Sequence, residues 1–185
     1  MDELRAEATR LLSSPSTPVK RLKEFRDSLA EMVFCDPACG SGNFLIVAYR
    51  ELRRIETDII VEIRKREGME HSQSLDISWE QKLSINQFHG FEVNWWPARI
   101  AETAMFLVDH QANKELANRI GQQPERLPIT VTAHITHANA LAFEWGGGTA
   151  TSPNDLHIWQ PSICGPVHEN QGTDRRYEAC VGWGL

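Results

Sequence analysis

Residues 33–45 constrain the fold of this chain more than any other stretch. Val33-Phe34-Cys35 is apolar and leads into Asp36, and small residues including two glycines follow before a long helical pattern begins. A strand that ends in a glycine-rich turn and opens a helix suits a nucleotide-like ligand, because glycine lets the backbone approach and the helix N-terminus offers N–H groups. We therefore predict that Gly40 and Gly42 lie against such a ligand. We expect Asp36 to accept hydrogen bonds from its ammonium or hydroxyl groups.

The glycine turn differs from two well-known phosphate-binding turns. It lacks the third glycine of the dinucleotide fingerprint and the Gly-Lys-Ser/Thr of a phosphate loop, which argues against NAD and ATP as ligands. Its Gly-Ser-Gly spacing alone is a weak signal, because tight strand–helix turns also use glycine for geometry alone.

The full string from Asp36 to Leu45, Asp-Pro-Ala-Cys-Gly-Ser-Gly-Asn-Phe-Leu, is more specific. It resembles motif I, the S-adenosylmethionine-binding motif of N6-adenine DNA methyltransferases, and looks closest to their gamma class and the MmeI-like enzymes that join methylation to restriction. The resemblance covers roughly residues 4–145. It implies an α/β fold, the Rossmann-like class I S-adenosylmethionine-dependent methyltransferase fold, of which this chain would hold the N-terminal half preceded by helices. It also implies S-adenosyl-L-methionine as cofactor and adenine N6 in DNA as the methyl acceptor.

Further cofactor contacts are expected at the ends of the second and third predicted strands. Glu92 ends a predicted strand over residues 85–94, where an acid accepts hydrogen bonds from ribose hydroxyls; the alternative is an acid favoured by the helix macrodipole. Asn139 lies in a segment that resembles motif III, where a carboxylate or amide meets the adenine. Trp95 and Trp96 either flank the adenine or simply pack. The complete set of predicted cofactor-binding residues is Asp36, Ala38, Cys39, Gly40, Gly42, Asn43, Phe44, Glu92, Val93, Asn139 and Ala140.

Apolar periodicity divides the chain into three parts. We predict an N-terminal helical segment (1–31), a partial S-adenosylmethionine-binding core (32–145) and an irregular tail (146–185). Helices are expected over 2–13, after a cap at Thr17, over 43–66 and over 95–116. In the last of these, Ile100, Ala104, Leu107 and Val108 are expected to face inward. Strands are expected over 32–36, 85–94 and 129–135, and 156–159 is a candidate fourth. The basic residues Lys20, Arg21, Lys23 and Arg26 are interpreted as a solvated helix face rather than a nucleic-acid contact.

Composition limits the environment and the partners of the chain. The net charge of −6 is unusual for a module that grips duplex DNA, so most DNA contacts are expected to lie outside this chain. The absence of a long apolar run and of an apolar N-terminus predicts a cytoplasmic protein with no membrane segment. The four cysteines form no CxxC pair and are interpreted as reduced and structural. His134 and His137 lack a third ligand at suitable spacing, so no metal site is predicted.

The catalytic motif of the family is missing from this sequence. Motif IV, Asn/Asp/Ser-Pro-Pro-aromatic, should follow the fourth strand, but Gln160-Pro161-Ser162-Ile163 stands there, so no catalytic residue is assigned. Ile158 to Gly165 can be encoded as ATA TGG CAA CCC TCC ATT TGT GGG, and the same bases read one base later give Tyr-Gly-Asn-Pro-Pro-Phe-Val. Trp159 followed by Gln160 forces only the glycine of this second reading. The other residues depend on which synonymous codons are used, so the sequence is compatible with an out-of-frame motif IV but does not require one. We hypothesise a frameshift near Gly146–Gly148 that leaves an out-of-frame tail.

Three other interpretations stay open at the level of sequence. In the first, the chain is a non-catalytic remnant that binds S-adenosylmethionine weakly, or only unfolds and aggregates. In the second, it is a methyltransferase for RNA, protein or a small molecule, since the cofactor half does not encode the acceptor. In the third, it is one piece of a split restriction–modification enzyme, and a partner subunit supplies motif IV. No recognisable motif X precedes motif I, which leaves the methionine end of the cofactor poorly held.

Overall fold

The computed structural model describes residues 1–69, 81–121 and 133–142 in full, together with the backbone strand at 156–158. The long helices are α1 (Asp2–Ser13), α2 (Val19–Ala30), α3 (Asn43–Arg66) and α4 (Trp95–Arg119). The strands are β1 (Val33–Asp36), β2 (Phe88–Glu92), β3 (His134–His137) and β4 (Leu156–Ile158). Short 3-10 turns at Ile85–Gln87 and Ala140–Ala142 complete the described elements.

The four described strands form one parallel sheet in the order β3-β2-β1-β4. The register pairs Asp36 with Gly90 across β1 and β2, and Glu92 with His137 across β2 and β3. Because all pairs are parallel, the carboxyl ends of the strands meet at one edge of the sheet. β4 pairs with the other side of β1, so the chain reverses its direction across the sheet there. In open α/β sheets such a switch point is where ligands bind.

Helix α3 provides the main apolar surface over the sheet. Its residues recur at three- and four-residue spacing, which puts them on one face of a helix; those buried include Ala48, Leu52, Ile55, Ile59 and Ile63. At the centre of this core the rings of Phe34 and Phe88 stack with centroids 4.8 Å apart, and Tyr49 meets Phe88 edge-on at 5.1 Å. The helix prediction over 43–66 and this buried stripe agree with the structure, except that Phe44 is exposed.

A buried ionic network joins α3 to the segment before β2. Arg53 and Glu56 are both 1% exposed and lie 3.0 Å apart at Nη1 and Oε2. The other carboxylate oxygen of Glu56 accepts the Lys82 and Leu83 backbone N–H groups at 2.6 and 2.9 Å. Arg53 Nη2 also donates to Asn113 of α4 at 2.7 Å. This network fixes the entry to β2, because Glu56 satisfies backbone donors that would otherwise be buried without partners.

The structure corrects several local predictions. Pro18, not Thr17, occupies the N-cap of α2, and it cannot donate or accept there through its side chain. Residues 85–87 form a 3-10 turn capped by Ser84, so β2 begins only at Phe88. Arg26 is buried rather than solvated and pairs with Asp27 at 2.8 Å.

The inward face of α4 also differs from the prediction. Ile100 and Leu107 are 50% and 56% exposed. Val108 is buried as predicted, and the other buried residues of α4 are Ala98, Ala101, Met105, Ala112, Leu116 and Ala117. The apolar residues of α4 are spread around the helix, so hydrophobicity alone did not identify its inward face.

Within the described ranges, no helix is long and apolar enough to cross a membrane. No three His, Cys, Asp or Glu side chains among these same residues come together as metal ligands. His134 and His137 lie on opposite faces of β3, because side chains alternate along a strand. His134 stacks on His89 of β2 with ring centroids 4.7 Å apart.

Candidate functional site

Two carboxylates and the glycine turn meet at the carboxyl edge of the sheet. Asp36 ends β1, Glu92 ends β2, and the turn of residues 37–42 links β1 to α3. The backbone N–H of Gly40 donates to Glu92 Oε2 at 3.0 Å, which ties the turn directly to the second strand. The Cys39 N–H donates to the Phe91 carbonyl at 2.9 Å and adds a second tie. The sequence placed these residues at strand ends, and the parallel register brings them together.

The Glu92 carboxylate accepts several hydrogen bonds from its own chain. In addition to Gly40, the backbone N–H and the side-chain Nδ2 of Asn94 donate to Glu92 Oε1 at 2.7 and 2.9 Å. The side chain is largely buried, with 9% of the residue exposed. Charge-assisted hydrogen bonds of this kind hold a carboxylate in one orientation. The position of Glu92 is therefore fixed before any ligand arrives.

Asp36 differs from Glu92 because only one of its carboxylate oxygens accepts a hydrogen bond from the described residues. It is 1% exposed, and Oδ1 accepts the Ala38 N–H at 3.0 Å. Its other oxygen, Oδ2, is buried and accepts no hydrogen bond from the part of the chain that the structure describes. Burial raises the pKa of the Asp36 carboxyl; the Ala38 N–H opposes this rise and the negative charge of Glu92 adds to it. A buried carboxylate oxygen of this kind is stabilised by a ligand that brings an N–H or O–H donor.

The two glycines of the turn have different roles. Both have positive φ, +54° at Gly40 and +83° at Gly42. A Cβ at Gly40 would meet no described atom within 4 Å, so this glycine leaves open space at the edge of the sheet. A Cβ at Gly42 would lie 3.0 Å from the Ala101 Cβ and 3.2 Å from its Cα. Gly42 therefore allows α3 and α4 to approach closely, which is a contact between helices rather than a contact with a ligand.

Cys39 is part of the support beneath the turn. Burial is the main cause that raises the pKa of its thiol to about 12, and the charges of Asp36 and Glu92 add to it. A Cβ at Gly90 would lie 2.8 Å from the Cys39 sulfur, so the absence of a side chain at Gly90 makes room for this thiol. Gly90 stands in the middle of an apolar strand, and that position is the only sequence signal that marks it. Cys35 is likewise a buried thiol of β1.

Several predicted residues form the exposed border of the site. Ala38, Asn43 and Phe44 are exposed on one side of the turn, and Val93 is 64% exposed after Glu92. Trp95 and Trp96 are also exposed and contact each other, with ring centroids 5.0 Å apart, so they are not part of the core.

The segment after β3 closes the other side of the site. The Ala138 N–H donates to the Glu92 carbonyl at 3.0 Å. Asn139 is exposed and its Oδ1 accepts the Leu141 N–H at 3.0 Å, while Ala140 is buried. This segment therefore lies directly beside the end of β2.

Sequence reasoning missed two residues that shape the site. Asn94 holds Glu92, as described above, and the His137 Nε2 lies 3.0 Å from the Val93 carbonyl oxygen. His137 therefore links the end of β3 to the segment that follows Glu92. The His137 contact depends on the register of β2 against β3, which the sequence does not show. The Asn94 contact is local, but the sequence equally suits an asparagine that caps α4.

The parallel sheet, the glycine turn and the two edge carboxylates together define an α/β protein of the Rossmann-like methyltransferase class. Comparison with known proteins gives the family. Residues 12–166 match the family model described as the DNA-methyltransferase domain of MmeI, and the chain belongs to this family.

Two relatives illustrate the similarity. The chain is 32% identical over 126 residues to DNA methyltransferase A of Bacillus subtilis (strain 168), which covers 68% of this chain and 14% of that protein. It is 38% identical, with a TM-score of 0.68, to a solved structure of the Type IIL restriction–modification enzyme MmeI in complex with DNA. That alignment covers 78% of this chain and 18% of the other. The chain thus spans less than a fifth of the length of either relative.

Proposed function

We propose that this chain is the cofactor-binding part of an S-adenosylmethionine-dependent DNA methyltransferase of a restriction–modification system, and that the acceptor is adenine N6. Family membership supports methyl transfer to DNA, and the two relatives are a DNA methyltransferase and a restriction–modification enzyme in complex with DNA. The observation that carries the cofactor assignment is Asp36 Oδ2, which is buried at the end of β1 and has no donor among the described residues. Such an enzyme acts where the DNA is, in the bacterial cytoplasm.

The residues of the site fit this cofactor. S-adenosylmethionine supplies a methyl group on a sulfonium centre, which is electrophilic without further activation. Asp36 accepts a hydrogen bond from the ammonium or a hydroxyl group, and Glu92 accepts from the ribose hydroxyls. Val93 and Asn139 contact the adenine. The remaining residues of the cofactor site are Ala38, Cys39, Asn43, Phe44 and Ala140. Because Gly42 packs against Ala101 of α4, its contribution to the cofactor site is indirect.

The acceptor half requires chemistry that this sequence does not encode. The adenine N6 lone pair is delocalised into the ring, so a catalytic site must accept its hydrogens on amide and carbonyl oxygens while an aromatic ring stacks on the flipped base. The Asn-Pro-Pro-aromatic motif is absent, and residues 159–163 lie outside the described structure. We therefore expect the isolated chain to bind cofactor without methylating DNA. This expectation favours a remnant or a split enzyme, in which a partner subunit supplies motif IV.

The frameshift hypothesis belongs to the same proposal. The family match continues past Gly146–Gly148 to residue 166, and β4 lies in the segment predicted to be an irregular tail; both observations weigh against a frameshift as early as these glycines. The division at residues 31 and 145 stays a prediction. Sequencing the gene tests the idea directly: a tetrad encoded in an alternative frame after Ile158 supports it, and the lack of one in both alternative frames removes it.

Titration calorimetry with S-adenosylmethionine, paired with tritium transfer to unmodified DNA, tests the function. We expect the folded chain to bind S-adenosylmethionine and Asp36→Ala to weaken binding at least tenfold, because the variant removes the acceptor. The exposed acid Glu3 supplies the matched control, Glu3→Gln. Binding without transfer indicates a remnant, and transfer after addition of a second polypeptide indicates a split enzyme. A folded chain that binds neither S-adenosylmethionine nor S-adenosylhomocysteine contradicts the proposal.

A further inference from the structure

Asn94 stands at the N-cap of α4 but does not act as a cap. An N-cap asparagine ordinarily accepts the N–H of the second or third helical residue. The described structure contains no such bond, and the Nδ2 of Asn94 donates instead to Glu92 Oε1 at 2.9 Å. The third helical residue is Pro97, which has no N–H, so only the Trp96 N–H is available to an Asn94 cap. The amide is thus directed to the carboxylate and has an alternative partner on its own helix.

The hydrogen bonds of Glu92 leave little room for a ligand on Oε1. A carboxylate has about four lone-pair positions, two on each oxygen. Asn94 fills both positions on Oε1, through its backbone N–H and its side chain, and Gly40 fills one on Oε2. A ligand with one hydroxyl group can use the open position on Oε2. A vicinal diol that places one hydroxyl on each oxygen must replace a donor on Oε1.

The donor that can be replaced is the Asn94 side chain. The backbone N–H groups of Gly40 and Asn94 are held by the turn and by the start of α4. The side chain of Asn94, in contrast, belongs to an exposed residue. We propose that the Asn94 amide occupies the place of a ribose hydroxyl on Glu92 and that a ligand with a vicinal diol displaces it. The displaced side chain rotates to accept the Trp96 N–H. This inference rests on the proposed cofactor site and makes Asn94 a residue that lowers the preference for ribose over deoxyribose, because only the diol has to displace its amide.

The test compares two ligands that differ in one hydroxyl group. S-adenosylhomocysteine and its 2′-deoxy analogue are titrated into the full chain, into Asn94→Ala and into Asn86→Ala, a control at the opposite end of β2. Removal of the amide frees the second acceptor position, so Asn94→Ala should bind S-adenosylhomocysteine about tenfold more tightly, the value of one hydrogen bond to a charged group. The affinity of the 2′-deoxy analogue should not change. Asn86→Ala should change neither affinity.

Other results overturn the inference. Equal weakening of both ligands by Asn94→Ala means that the amide only holds Glu92 in position, and an unchanged affinity for S-adenosylhomocysteine means that the amide is not displaced. Asn94→Ser keeps a good N-cap residue and removes the amide, so it repeats the test if Asn94→Ala folds poorly. A folded wild-type chain that binds neither ligand refutes the proposed function itself, and the inference falls with it.

Discussion

Replacing each of the two glycines of the turn by alanine distinguishes the glycine that packs between helices from the glycine that faces the proposed ligand. Both positions have positive φ, where an L side chain costs about 1–2 kcal/mol. Gly40→Ala adds no other contact with a described atom, so we expect it to lower the unfolding free energy by about 1 kcal/mol. Gly42→Ala places a methyl group 3.0 Å from the Ala101 Cβ, and overpacking of this kind costs about 1–3 kcal/mol more. We therefore expect Gly42→Ala to cost about 2 kcal/mol more than Gly40→Ala.

Urea denaturation measures this difference, since 2 kcal/mol shifts the midpoint by about 1 M at an ordinary denaturant slope. Ala101 is fully buried in α4, so Ala101→Gly alone should also destabilise the chain. In the double variant, Ala101→Gly removes the methyl group that Gly42→Ala meets but leaves the Cα of residue 101 3.2 Å from the new methyl group. A double-mutant cycle should therefore return a favourable coupling of about 1 kcal/mol. Equal costs at Gly40 and Gly42, or a coupling near zero, would refute the assignment of Gly42 to helix contact. S-adenosylmethionine affinity should respond in the opposite order, with Gly40→Ala the more harmful variant.

Three further predictions concern buried polar groups. Glu56→Ala should lower the unfolding free energy by about 3–5 kcal/mol, because it leaves buried Arg53 without its carboxylate, and Glu62→Ala on the solvent side of α3 should cost far less in the same urea titration. The pKa of Asp36 is raised in the folded chain, so the unfolding free energy of the wild type should fall as the pH rises from about 4 through that pKa. Asp36→Asn should lack this fall, and parallel pH profiles for the two chains would contradict the prediction. Cys39, with its pKa raised to about 12, should resist iodoacetamide at pH 8 in the native chain and react after unfolding, as peptide mass spectrometry would show; rapid native alkylation would contradict its burial.

The sequence predicted the parts of the fold that depend on local pattern. The bounds of α1 and α3 follow from periodicity and from the breaks at Ser14-Pro15 and Gly68, and the structure confirms both helices. The ends of β1 and β2 follow from an acid after an apolar run, and parallel pairing brings these ends to one edge. The sequence therefore placed Asp36 and Glu92 together. Their binding roles, like those of the other predicted site residues, remain predictions.

Some features that the sequence did not predict depend on contacts between distant residues, and others on local hydrogen bonds. The predicted inward face of α4 was right at Val108 and wrong at Ile100 and Leu107, because close approach to α3 selects for small residues such as Ala101 opposite Gly42. The predicted start of β2 was wrong because Ser84 and the Gln87 side chain form a capping box, which produces a 3-10 turn before the strand begins. Asn94 has the sequence of an ordinary helix cap, and only its contact with Glu92 shows that its amide is used elsewhere.

The two carboxylates at the edge of the sheet explain why a ligand site and a stability cost occur at the same place. Glu92 accepts donors from its own chain and is held rigidly, whereas Asp36 has one buried oxygen without a donor in the described ranges. A buried unsatisfied oxygen destabilises the folded state, and a ligand that supplies a donor removes that penalty on binding. If the proposed cofactor supplies that donor, binding recovers the free energy lost by folding Asp36 into this position. A substitution such as Asp36→Asn should therefore favour the folded chain at neutral pH while weakening cofactor binding, and a variant that improved both would contradict this link.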